Sequence, residues 1–338
     1  MSGYPTTSTG ATVPLTSQVG GHAGVQTTED GSLIIKPALT LEHEFYQSLT
    51  SKDSFQALRP YVPKFYGTLK LEGQVDESEG SFKEIEGTNK DTFLSNHQDV
   101  TSDIDFDNLQ SLVLENLSHS FDKPNILDIK LGTVLYDESA SPEKVERMLK
   151  TARETTSLET GVRLTGFQVY DIQTGLAVNT PKSYGKSIKP SDLADGIARF
   201  FPVPSESTSM GLSPQFLLPI LEGVRKNVAE IREALAGMEM RMVGGSLLVI
   251  YEADPKKVEE GIEWMKKLEG EEALEDEEDE DDEEEKSKPR PPYLVKLIDF
   301  AHARFRPGEG PDEGVLKGID TVLQLLEGRI EQVKKQGT

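Results

Sequence analysis

Two apolar segments of this chain carry charged residues that a buried strand does not normally hold. The first is PNILDIKLG, residues 124–132, and the second is LIDFAH, residues 297–302. Because alternate residues of a strand point to the same face, Asp128 and Lys130 should project together into one cavity. With Asp299 as a second acid from another strand, the pattern favours phosphoryl transfer, which works mainly by positioning and charge neutralisation. The alternative is a pair of ordinary strand edges with solvated charges.

Length and composition limit the class of protein. A chain of 338 residues with 36% hydrophobic residues can form one large domain or two modest lobes around a cleft. It has no cysteine, which excludes disulfides and cysteine-based metal sites or catalysis and favours an intracellular setting. We expect no signal peptide, because the N-terminus lacks a basic start and an apolar stretch. No apolar run approaches the ~20 residues that span a bilayer, so no membrane span is expected.

The negative charge is unevenly distributed along the chain. The net charge is −23, yet residues 271–285 hold 13 Asp and Glu and no Lys or Arg, which leaves −10 for the rest. Residues 123–189 carry 10 Lys and Arg against 8 Asp and Glu. A local basic field of this kind can attract a polyanion, whereas the overall charge argues against direct nucleic-acid binding. The acidic tract is expected to be either a solvated loop or a docking surface for a basic partner.

The order of elements predicts an α+β chain with a small β-rich lobe before a larger α+β lobe. Residues 1–13 are expected to be disordered, residues 14–117 to form the first lobe and residues 118–338 the second. Residues 73–108 are expected to form a long loop. Three helices should begin where an N-cap residue precedes proline, at Ser141, Ser213 and Asp254.

The two segments together resemble the P-x-x-x-D-x-K-x-G and I-D-F-A signatures of the inositol polyphosphate kinase family. The resemblance extends over roughly residues 14–335, with a Q-V-G-G-H string at residues 18–22 and an L-E-N-L string at residues 114–117. It implies a two-lobed protein-kinase-like or ATP-grasp-like fold, with a short helical inositol-phosphate-binding insertion at residues 142–190. It also implies that ATP and Mg²⁺ lie in the cleft.

The resemblance implies that Lys36 steadies the ATP phosphates and needs a glutamate from the following helix. Glu42 and Glu44 are both candidates. Glu42 shares a helix face with Phe45, Tyr46 and Leu49 at i+3, i+4 and i+7, so we choose Glu42 as the inward partner.

Further nucleotide and metal roles follow from the resemblance alone. The hinge would bind adenine through backbone groups of Glu115 and Leu117, and Asp128 would face the ribose. Asp299 would hold the magnesium ion. Ser246 would assist metal binding without the second serine that the family carries beside it, because residue 245 is glycine here.

Cations are expected to bind the phosphates of the acceptor. Lys144, Arg147 and Lys150 fall at i, i+3 and i+6 of one predicted helix, which places them on one broad side. The alternative is a solvated basic face. The resemblance adds three further substrate-contacting residues, Lys130, Lys182 and His302.

The resemblance therefore implies an ATP-dependent inositol polyphosphate kinase activity of the multikinase type, in which Asp128, Lys130 and Asp299 would be catalytic. A dedicated inositol trisphosphate 3-kinase or hexakisphosphate kinase is the first alternative. A non-catalytic interaction protein of transcription, using the acidic tract of residues 271–285 to bind a basic factor, is the second. We expect a nuclear and cytoplasmic location.

Overall fold

A computed structural model describes residues 12–14, 25–70, 75–76, 81–82, 110–205, 209–270 and 290–337. The acidic tract, the Q-V-G-G-H string and most of the predicted loop 73–108 lie outside these residues. The strands are β1 Thr12–Pro14, β2 Gln26–Thr28, β3 Leu33–Pro37, β4 Phe65–Lys70, β5 Val75–Asp76, β6 Ser81–Phe82, β7 Gln110–Glu115, β8 Pro124–Leu131, β9 Val162–Tyr170, β10 Ala177–Thr180, β11 Met240–Val243, β12 Ser246–Glu252, β13 Tyr293–Ile298 and β14 His302–Phe305. The helices are α1 Thr40–Ser51, α2 Pro142–Glu154, α3 Ser157–Thr160, α4 Lys182–Ser187, α5 Leu193–Phe200, α6 Pro214–Ala236, α7 Pro255–Gly270 and α8 Glu313–Gln336.

Two antiparallel sheets define the lobes. The first has the strand order β1-β2-β3-β7-β4, and α1 follows β3. The second has the order β10-β9-β8-β12-β13 and is packed against α6 and α8. The α+β class is therefore confirmed. The predicted disordered tail ended at residue 13, whereas Thr12 and Val13 belong to β1 and pair with β2.

The faces of the second sheet have different surroundings. Along β8, Leu127, Ile129 and Leu131 are fully buried in the main core with residues of α6 and α8. The alternate residues Asp128 and Lys130 lie on the opposite face, as the period of a strand requires. The hydrophobic core on one face therefore fixes the charged residues on the other.

The segment 142–190 was predicted to be a helical insertion, and that prediction was wrong for part of it. Residues 162–170 form β9, which pairs with β8 and carries buried Leu164, Phe167 and Val169. The helical connection is therefore shorter, about residues 132–161, and contains α2 and α3.

The helix starts follow the predicted chemistry in two of three cases. The Ser141 hydroxyl accepts a bond from Lys144 N (3.2 Å), and Asp254 accepts from Lys256 N (3.1 Å). Ser213 stands at the start of α6 but makes no side-chain cap bond. None of the helices in the described part of the chain is long and apolar enough to cross a membrane.

Two glycines allow α8 to brace the strand of Lys130. The carbonyl of Gly161 accepts a bond from Gly132 N (2.8 Å), directly after β8. A Cβ on Gly318 of α8 would lie only 2.4 Å from the oxygen of Gly161, so the helix can approach this closely only because residue 318 is glycine.

We expect Gly318→Ala to destabilise the protein by about 1–3 kcal/mol, the usual effect of forcing a methyl group into packed structure. Gly328→Ala on the same helix is the matched control, since a Cβ there meets no atom within 4 Å. The control should be neutral or stabilising by up to about 1 kcal/mol, because alanine favours a helix. Urea unfolding of both variants measures the difference, and equal stabilities would contradict the bracing role.

Candidate active site

The cleft face of the second sheet gathers polar groups at one end and apolar groups at the other. Ser246 pairs opposite Lys130, and Leu248 pairs opposite Asp128, so all four residues lie on this face. Beyond them the face is apolar. The buried residues there are Leu117, Phe121, Ile126 and Ile250, with Leu248, Leu294 and Ile298 packed against them. An apolar surface therefore leads from the hinge to the charged end.

A single carboxylate joins lysines from the two lobes. The Lys36 ammonium of β3 donates to Glu42 Oε1 (2.8 Å) and to Asp299 Oδ1 (3.1 Å). The Lys130 ammonium of β8 donates to Asp299 Oδ2 (2.6 Å) and to the Gly244 carbonyl (2.9 Å). Of the two glutamates in α1, Glu42 is buried in contact with Lys36, whereas Glu44 is exposed.

Both lysines are held as cations. Burial disfavours their charged forms, but attraction to the neighbouring carboxylates outweighs it and raises the pKa of Lys36 and of Lys130. For Lys36 the carboxylates are Asp299 and Glu42, and for Lys130 they are Asp299 and Asp128. Both ammonium groups therefore stay charged at neutral pH, each beside the carboxylates that pair with it.

The backbone at Asp299 explains how one side chain reaches both lysines. Asp299 has φ +66°, the only positive φ of a non-glycine residue in the described ranges. This left-handed conformation turns the chain sharply between β13 and β14. The next residue anchors the turn, because the Phe300 ring stacks on Phe45 of α1 (centroids 3.8 Å apart) and Phe300 N donates to Glu42 Oε1 (3.3 Å).

Two buried oxygens on the cleft face have no hydrogen-bond partner, Asp128 Oδ1 and Ser246 Oγ. Asp128 is only 2% exposed. Unsatisfied buried oxygens are rare and call for an explanation. Hard oxygen donors of this type fit a divalent cation such as Mg²⁺ or the hydroxyls of a nucleotide. Within the described residues no three His, Cys, Asp or Glu side chains cluster as a metal site, so a cation here would need ligands from the nucleotide as well as from Asp299.

The hinge residues lie beside the apolar surface. The Glu115 N–H already donates to the Lys64 carbonyl (3.0 Å), so this N–H is not available to a ligand. Asn116 fixes the hinge through its side-chain bond to the Gly31 carbonyl (2.7 Å), and Leu117 is buried. The adenine-binding roles of Glu115 and Leu117 stay a prediction.

Arg163 is a site residue that the sequence analysis missed. It pairs opposite Lys130 from β9, so it lies on the cleft face. Burial lowers its pKa, and the charge of Asp128 opposes that effect. The available signal was the run VRLTGFQVY, whose branched and aromatic residues are typical of a strand.

The predicted substrate cations lie mostly at the surface. On α2, Lys144 is half-buried, and Arg147 and Lys150 are exposed. Lys150 approaches Glu154 at 3.9 Å, an exposed pair of little energetic value. Lys182 is exposed at the first turn of α4. His302 begins β14 and contacts Asp137, with Nδ1 2.5 Å from Asp137 Oδ2.

A lysine held by a helix glutamate, with a second carboxylate beside it in a cleft, matches the Lys–Glu pair and the metal-binding aspartate of kinase sites. Comparisons of this chain with known proteins identify its family. A family model described as inositol polyphosphate kinase matches residues 111–327. The inositol polyphosphate multikinase of Saccharomyces cerevisiae is 32% identical over an alignment of 357 positions that covers 92% of this chain and 97% of that protein. The chain therefore belongs to the inositol polyphosphate kinase family and is a kinase.

Other relatives agree with this assignment. The crystal structure of the S. cerevisiae inositol phosphate multikinase in complex with ADP and Mn²⁺ has a TM-score of 0.60 and 29% identity. The match covers 89% of this chain and all of that one. Inositol hexakisphosphate kinase 1 of Rattus norvegicus is 28% identical over 230 residues, which cover 64% of this chain and 51% of that protein.

We expect Glu42→Gln to lower kcat at least ~10-fold, because the Lys36 ammonium loses the carboxylate that holds it while Phe300 N keeps an acceptor. Steady-state kinetics with varied ATP measures the effect. Glu44→Gln is the matched control on the exposed face of the same helix and should be close to wild type. Equal losses in the two variants would contradict the assignment of Glu42 as the partner of Lys36.

Proposed function

We propose that this chain is an ATP-dependent inositol polyphosphate multikinase that phosphorylates hydroxyls of inositol tris- and tetrakisphosphates towards the pentakisphosphate. The observation that carries the proposal is the shared contact of Lys36 and Lys130 with Asp299. It brings a nucleotide-side lysine and an acceptor-side lysine to one point, where the phosphoryl group would pass between donor and acceptor.

Each residue then has a distinct task. Lys36, held by Glu42, would bind the α- and β-phosphates of ATP, and the carbonyl of Glu115 with the backbone of Leu117 would bind adenine. Asp128 would meet the ribose. Lys130 would neutralise charge that develops on the transferred phosphoryl oxygens, and Arg163 beside it would add a second cation.

The metal is proposed to be magnesium, held by Asp299 with help from Ser246. Mg²⁺ takes hard oxygen ligands and keeps several waters, so one or two protein oxygens together with phosphate oxygens are sufficient. When bound, it would neutralise phosphate charge. The unsatisfied Ser246 hydroxyl and Asp128 carboxylate support a cation or a nucleotide at this end of the cleft.

Broad acceptor use is supported by the short connection between β8 and β9. Residues 132–161 carry only α2 and α3, and the basic residues of α2 stay at the surface. Such an open site would admit several orientations of the inositol ring. A dedicated trisphosphate 3-kinase or hexakisphosphate kinase is the rival, and product analysis separates the two.

The test is incubation of the protein with labelled ATP, Mg²⁺ and a panel of inositol phosphates. We expect phosphorylation of tris- and tetrakisphosphates at more than one ring position. A single product from one acceptor would favour the dedicated kinase.

Asp299→Asn should lower turnover at least ~100-fold, in line with the loss of one electrostatic group from such a site. Wild-type turnover in Asp299→Asn at saturating Mg²⁺ would contradict the metal assignment.

The acceptor is proposed to lie along α2, at Lys144, Arg147 and Lys150, with Lys182 and His302 at its border. We expect Lys144→Glu to raise the acceptor KM, more steeply for acceptors with more phosphates, and to leave the KM for ATP unchanged. Lys267→Glu on α7 is the control, because it makes the same charge change outside this segment. A weakened ATP affinity with an unchanged acceptor affinity would place α2 on the nucleotide side instead.

The acidic tract of residues 271–285 supports a second role as a docking surface for a basic protein such as a transcription factor. Its charge of −13 is the basis of this proposal. A nuclear and cytoplasmic location is proposed with it. Pull-downs with the full chain and with a chain lacking residues 271–285 test the partner, and imaging of a fluorescent fusion tests the location.

A further inference from the structure

The loop between β8 and α2, residues 132–141, connects the strand of Lys130 to the helix of Lys144. Asp137 lies in the middle of this loop and its side chain is only 7% exposed. Its Oδ1 accepts bonds from Ser139 N (2.8 Å) and from the Ser139 hydroxyl (2.6 Å). These local bonds hold the carboxylate in one orientation.

The second oxygen of this carboxylate meets a histidine from another part of the chain. Asp137 Oδ2 lies 2.5 Å from His302 Nδ1. The two nitrogens lie on opposite sides of an imidazole ring, so a carboxylate at Nδ1 directs Nε2 away from the loop. The His302 side chain is 27% exposed, which leaves the ring within reach of a ligand.

Ion pairs of Glu138 also attach the loop to β14, the strand that begins with His302, and to the residue just after it. Glu138 contacts Arg304 (3.8 Å) and Arg306. His302, Arg304 and Arg306 alternate along the chain, so they share one face of β14 and its extension. The loop is thus attached to the strand that begins three residues after Asp299.

The Asp137 carboxylate is ionised at neutral pH. Burial would raise its pKa, but the bonds from Ser139 and the positive charges of His302 and Arg304 overcome that effect and lower it. An anion in contact with Nδ1 favours the protonated imidazolium, in which both ring nitrogens donate.

We propose that Asp137 is a positioning residue for acceptor recognition: it orients the His302 ring so that the Nε2–H donates to a phosphate oxygen of the acceptor. The inference rests on the proposed function, since it takes the acceptor to be an inositol phosphate beside His302. Asp137 touches no substrate and acts only through His302.

A double-mutant cycle tests this dependence. We expect Asp137→Asn to raise the acceptor KM about 10-fold, the effect of weakening one charge-assisted hydrogen bond, with the KM for ATP unchanged. Asparagine keeps an oxygen for Ser139, so the loop should persist. In a His302→Gln background the same change should alter the acceptor KM by less than about twofold, because Asp137 has no other route to the acceptor. A full 10-fold effect in that background, or a parallel rise in the KM for ATP, overturns the proposal.

The histidine ring gives a readout that needs no activity. The chain has 5 histidines, so His302→Gln identifies the His302 ring signals in an NMR spectrum. We expect these signals to titrate at lower pH in Asp137→Asn than in wild type, because the adjacent anion is lost. Glu138→Gln is the loop control and should leave the titration in place. An unchanged titration in Asp137→Asn, or an equal change in Glu138→Gln, overturns the proposal. If wild type phosphorylates no inositol phosphate, the proposed function fails, while the ring titration still reports whether Asp137 holds His302.

Discussion

The geometry of the cleft depends on one carboxylate, that of Asp299, which lysines from both lobes share. Buried ion pairs of this kind add little net stability, because desolvation offsets most of the attraction. Their consequence is geometric. The left-handed backbone at Asp299 and the stack of Phe300 on Phe45 fix the carboxylate, and the carboxylate fixes the Lys36 and Lys130 ammonium groups. Alignment of the two lobes and placement of the two lysines are therefore one constraint.

The second sheet converts core packing into site geometry. Leu127, Ile129 and Leu131 are buried on one face of β8, so Asp128 and Lys130 must lie on the other face. A register shift of one residue would exchange the buried residues with the charged ones. The glycine contact between Gly161 and α8 supports this strand from behind. Apolar contacts on the far side of the sheet thus set the face from which Asp128 and Lys130 project, and the ion pair with Asp299 then fixes the Lys130 ammonium.

Local periodicity predicted some of the site and could not predict the rest. The choice of Glu42 over Glu44 needed only the helical period, because inward residues of α1 recur at i+3, i+4 and i+7. Arg163 was missed because the alternation of β9 covers only residues 162–165 and gives way to a continuously buried run over residues 166–169. The contact of Asp137 with His302 joins a loop to a strand 165 residues away in sequence, and no local pattern encodes such a contact.

The charges inside the cleft suggest where attraction for the acceptor arises. Lys36 and Lys130 are each paired with carboxylates, and Arg163 lies near Asp128, so the buried groups largely balance one another. A balanced site aligns phosphates at short range but exerts little long-range pull on a polyanion. The exposed cations of α2 and α4 have no such burial, and their field acts over a Debye length of about 8 Å at physiological salt. Recruitment of the acceptor should therefore depend on salt and on α2, whereas the chemical step should depend on the buried pairs, which salt screens much less.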